Sequence, residues 1–132
     1  MAVTLAATAL STTKNVSSAA RAEVIGEAHL LDEVVTTSPT GDSPYEIRYL
    51  VLDLSPSEQR RRLEAKGWET FDIPDTSTGF GGSTERHNAT AYVQPLPAFL
   101  DAHRGSHTAE LSRFGDLPAP DNLIAITLQP LR

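Results

Sequence analysis

Four apolar residues follow one another without a polar break at Tyr49-Leu50-Val51-Leu52, inside a stretch, Tyr45–Leu54, that otherwise alternates. Read as a strand, it sends Ile47, Tyr49 and Val51 to one side and Leu50, Leu52 and Leu54 to the other. A strand apolar on both sides needs cover on both sides, so this one belongs inside a sheet. The segment that follows carries the clearest helix start in the chain. Ser55 is placed to cap, Pro56 to take the first helical position, and Glu58 to close a capping box, with Gly67 as the stop. A surface helix over 56–66 is predicted.

Around this β–α unit the pattern is less regular. Positions Ala20, Val24, Ala28, Leu31 and Val35 recur at spacings of three and four, which predicts a helix over 18–35, interrupted by Gly26; a strand hairpin over 22–37 is the competing reading. A second strand is predicted over 68–73, a third over 87–96 and a last over 122–129. The segment 75–86, with Gly79-Phe80-Gly81-Gly82, reads as a long loop. Short helices are predicted over 97–104 and 108–114. The expected architecture is therefore α+β: about four mainly antiparallel strands with helices packed on one face.

With 132 residues, the chain has the length of one domain. Residues 18–132 read as that domain and residues 1–17 as an N-terminal arm. The arm interleaves Val3, Leu5, Ala7 and Leu10 with threonines and serines, a pattern suited to pairing along a neighbour's edge. It has no positive charge ahead of its apolar part, and the polar stretch after it carries Lys14. Both features argue against a cleaved signal peptide. No apolar run reaches the length of a membrane helix. A cytoplasmic or virion setting is expected rather than a secreted one.

Cysteine is absent, which removes disulfides, thiolate metal sites and cysteine nucleophiles. Seventeen acids against eleven bases give a net charge of −6, the wrong sign for a protein that neutralises nucleic-acid phosphates. His103 and His107 are four apart, but Gly105 lies between them and no third ligand has a recognisable spacing; no metal is expected. Gly79–Thr84 lacks the lysine and the following helix of a phosphate loop, so no cofactor is expected.

Two functional readings remain. The first is a non-enzymatic structural or interaction subunit of an oligomeric assembly. It would dock through Val3, Leu5 and Leu10 of the arm, with Phe80 in the exposed glycine loop and Arg60-Arg61-Arg62 on the surface helix as secondary contacts to protein, a homo-oligomer or larger assembly. The plan, an arm on a small acidic α+β domain, resembles that of phage head–tail and tail-tube accessory subunits, though no motif carries the resemblance. The alternative is a small cofactor-independent enzyme or small-molecule binder of the cyclase or isomerase kind. Its pocket would lie under a Gly79–Thr84 flap, with Glu85, His87 and Tyr92 as its acid–base groups.

Overall fold

The structure, a computed structural model, describes residues 13–38, 44–74, 79–103 and 109–132. Ser17 starts helix α1 (Ser18–Ile25) by accepting the Ala20 N–H on its Oγ at 2.9 Å. The helix stops at Gly26, whose φ of +53° is costly for any residue with a side chain. A Cβ there would also overlap Arg62 Nη2, whose guanidinium crosses the turn to donate to the Ile25 carbonyl at 2.8 Å. The single helix expected over 18–35 therefore ends at its midpoint. After a turn the chain forms strand β1 (Leu30–Thr37), pairs back through β2 (Glu46–Leu52), and enters α2 (Pro56–Ala65). Here Ser55 Oγ accepts from Glu58 N–H at 3.2 Å, and Gly67 turns the chain at φ +93°.

Next come β3 (Glu69–Asp72), β4 (Phe80–Thr84), β5 (Ala89–Pro95), α3 (Leu96–Ala102) and α4 (Ala109–Ser112). Two 3-10 turns, Arg113–Asp116 and Pro120–Asn122, lead to β6 (Ile124–Pro130). The strands form one antiparallel sheet in the order β1-β2-β6-β5-β4-β3, so β6 is inserted between the β1–β2 hairpin and the β3–β4–β5 meander.

The expected α+β class is right, but two parts of the expectation are corrected. The sheet has six strands rather than about four, because β1 came out of the helix reading and β4 out of the loop reading. Helices also cover both faces rather than one. On the first face α1 and α2 close over Leu50, Leu52, Ile126 and Leu128, with Leu63 and Trp68 in the same core. On the second, Leu96, Phe99, Leu111 and Phe114 close over Val34, Tyr49, Val51 and Ala125. The unbroken run Tyr49–Leu52 is buried on both sides, as its composition demands.

Among the described residues, the second-face layer stops partway across the sheet. The pairing register puts Val34, Tyr49, Thr127, Tyr92, Gly81 and Phe71 in one row running from β1 to β3. Val34 and Tyr49 lie under the helices and are buried. Further along, Tyr92 is 38% exposed and Phe71 42% exposed.

Candidate functional site

The β4–β5 turn, residues 85–88, carries two of the three expected acid–base groups. Asn88 supplies its positive φ of +49°. Glu85 points into solvent and pairs with Arg132 at 2.9 Å. His87 faces α1, with Nε2 3.5 Å from Glu23 Oε2 and 3.2 Å from Arg86 Nε. That nitrogen can accept from Arg86 or donate to Glu23, but not both at once. Glu23 is the hub of the cluster: Oε1 accepts from Trp68 Nε1 at 2.9 Å and Oε2 from Arg86 Nη2 at 3.2 Å. Burial pushes the Glu23 carboxyl up, but the Trp68 hydrogen bond and the neighbouring His87 and Arg86 charges outweigh it, and the net shift is downward. A carboxylate that accepts from Trp68 and Arg86 and is held below the ordinary range ties helix to sheet.

Tyr92, the third group, is on the opposite face of the sheet, in the row with Phe71. Glu85, His87 and Tyr92 therefore do not converge on one reacting atom. The expected Gly79–Thr84 flap is corrected too: residues 80–84 are strand β4, paired to β3 on one side and β5 on the other. Glu85 lines a groove of about 550 Å3 together with Gly67, Glu69, Thr84, Arg86 and Arg132, and neither His87 nor Tyr92 lines it.

The expected docking residues are also redistributed. Phe80 is 2% exposed and belongs to the first core, packed there by its place in β4 rather than displayed on a loop. Arg60 lies 5.5 Å from the Phe80 ring centroid and pairs with Asp72 at 2.7 Å. Arg62 is spent on the Ile25 carbonyl. Of the triplet only Arg61 is exposed. Val3, Leu5 and Leu10 lie outside the described residues, as does His107. His103 ends α3, its ring 4.1 Å from that of Phe99 and its Nδ1 2.9 Å from the Phe99 carbonyl. Among the described residues no group of three or more metal-ligating side chains gathers. No described helix is long and apolar enough to cross a membrane.

The feature missed by the sequence reading is the open part of the second face. Phe71 and Tyr92 meet edge to face, ring centroids 6.5 Å apart, over the bare backbone of Gly81. A Cβ on Gly81 would overlap the Phe71 ring. Around them lie Ser83, Thr90, Thr127 and Gln129, and Glu69 is the one acid in the same set of rows. The signal was present in β5: Thr90, Tyr92 and Gln94 alternate with Ala89, Ala91 and Val93, which makes Tyr92 an aromatic on the polar side of its strand.

No family model matches this chain, and no curated protein or solved structure is significantly similar to it.

Proposed function

We propose that this chain is a non-enzymatic interaction subunit that assembles with further copies of itself through the open half of its second sheet face. The exposed Phe71–Tyr92 pair carries the reading. Two large rings standing on a nearly uncharged sheet face, beside a face half already covered by helices, form a surface suited to burial. The expected acid–base groups support it from the other direction, since Glu85 pairs with Arg132, His87 lies against Glu23 and Arg86, and Tyr92 stands apart from them.

Two observations favour a second copy as the partner. Residues 1–12 bring Val3, Leu5 and Leu10 and no charged side chain, in a chain that is 21% charged, which matches the neutral face. Lys14 is anchored to the start of β2: its N–H donates to the Pro44 carbonyl at 3.1 Å and its carbonyl accepts from Glu46 at 2.8 Å, in a parallel bridge to Tyr45. That tie holds the chain to the start of β2 directly after those twelve residues, which as a strap would suit the face of a neighbouring copy. The virion or tail setting expected above remains part of this proposal.

The test is native mass by light scattering over a concentration series. Wild type should form a discrete oligomer. Tyr92→Glu, and deletion of residues 2–12, should stay folded by far-UV circular dichroism and lose it. A monomer at every concentration, or an oligomer unaffected by both changes, would overturn the reading.

A further inference from the structure

The groove that Glu85 lines sits at the end of the sheet, where β4 finishes at Thr84 and β3 starts at Glu69. Its volume of about 550 Å3 is that of a small-molecule site. Strand parity gives it two lips. Phe80 belongs to the first core, so Thr84, four residues on, faces the same way. Ser83 and its cross-strand partner Glu69 face the other way. Gly67 lies in the same wall, with open space where a side chain would stand.

The Thr84 lip holds unused donors. Thr84 is 6% exposed, and its hydroxyl has no hydrogen-bond partner among the described residues. Among those residues no fully buried side-chain polar atom lacks a partner, so this hydroxyl reaches open space, and the groove is the cavity Thr84 lines. Arg86 is held in place by three hydrogen bonds: Nε donates to His87 Nε2, and Nη2 to Glu23 Oε2 and to the Lys66 carbonyl. Among the described residues its Nη1 is left without an acceptor. Arg132 neutralises Glu85 through Nη2, which leaves its Nε and Nη1 in the same position. One hydroxyl and two guanidinium groups lining one groove suit a carboxylate. The other lip has the opposite charge: Glu69 is exposed and makes no ion pair among the described residues. It would repel a plain anion and attract an ammonium group.

We infer that this groove binds a small zwitterion, an amino acid, with its carboxylate on Thr84, Arg86 and Arg132 and its ammonium group on Glu69. The groove is formed within one chain and uses neither Phe71 nor Tyr92, so the inference stands apart from the assembly reading above.

The test is a proton–nitrogen NMR titration of the full chain with glycine, β-alanine and γ-aminobutyrate, which place the two charges progressively further apart. Acetate and methylammonium serve as single-charge controls. At least one of the three amino acids should shift the amides of Gly67, Glu69, Thr84 and Arg86 saturably, and bind at least about tenfold more tightly than either control. Glu69→Gln, on an exposed position, should weaken that amino acid about tenfold and leave acetate unchanged. Thr84→Val keeps the shape and removes the hydroxyl; it should weaken both the amino acid and acetate, each by about tenfold. No saturable shift at these amides, a control that binds as tightly as all three amino acids, or an affinity indifferent to either substitution would overturn the inference.

Discussion

Glu33 shows how much a single side chain can tie together here. Arg21 of α1 reaches it at 2.6 Å and Arg48 of β2 at 3.0 Å, so one carboxylate on β1 joins three elements. The Arg21 hydrogen bond holds the Glu33 carboxyl below the ordinary carboxylate range, with burial opposing and Arg48 assisting. Because the folded value is the lower one, the unfolded chain takes up the proton first. The stability from this group is present above the ordinary pKa of about 4.3 and is lost as pH falls through the folded value. Glu23 is shifted the same way and adds to the same acid limb. Urea midpoints measured against pH should show Glu33→Gln less stable near neutrality and with a shallower acid limb than wild type. An identical limb would mean that the Arg21 and Arg48 contacts contribute nothing to folding.

Among the elements, α2 was the easiest to read from sequence and β4 the hardest. The Ser55-Pro56-Glu58 start and Gly67 stop are local chemistry, and local chemistry survives into the fold. Removing the cap with Ser55→Ala should cost about 1 kcal/mol. Leu63→Ala, which empties a fully buried site beneath the same helix, should cost about 2–5 kcal/mol in urea unfolding. Comparable losses from the two would show that the helix is held by its cap rather than by its packing. By contrast, Gly79-Phe80-Gly81-Gly82 looks like a loop because glycine usually marks one. In β4 the glycines instead make room: Phe71 lies over Gly81, and Trp68 and Leu63 approach Gly82. That need arises from strands elsewhere in the chain and leaves no mark on the local pattern. The separation of His87 from Tyr92, by contrast, was legible, because odd and even positions of one predicted strand lie on opposite faces. Period two gives the face of a strand, but which face a turn and a helix then close over depends on sheet order. Gly26 is the intermediate case, a visible helix breaker overruled by the spacing that continued beyond it into β1.

At the scale of the molecule, the described residues form one sheet with a core on each side, and the sheet is the wall both cores share. Trp68, the one tryptophan, reports on the first core. Phe99, fully buried in the second, packs on Tyr49 at a centroid distance of 5.8 Å. If the shared wall couples them, Phe99→Ala should cost about 3–5 kcal/mol and shift the unfolding midpoint seen by Trp68 fluorescence, although the two side chains lie on opposite faces. A Trp68 transition that stays put while far-UV circular dichroism moves would show that the cores melt separately. The expectation of one covered face would have predicted no second core at all, yet Tyr49–Leu52 already asked for one.

The position of β6 sets a timetable. Until residues 124–130 arrive, the β1–β2 hairpin and the β3–β4–β5 meander share no main-chain pairing among the described residues, and each presents an inner edge without its β6 partner. β6 joins them by pairing with β2, over seventy residues earlier in the chain, and with β5. Closing so long a loop comes late and slowly. The nascent chain thus passes through a stage with two half-sheets exposed, each able to accept the wrong strand, including the β6 of another molecule.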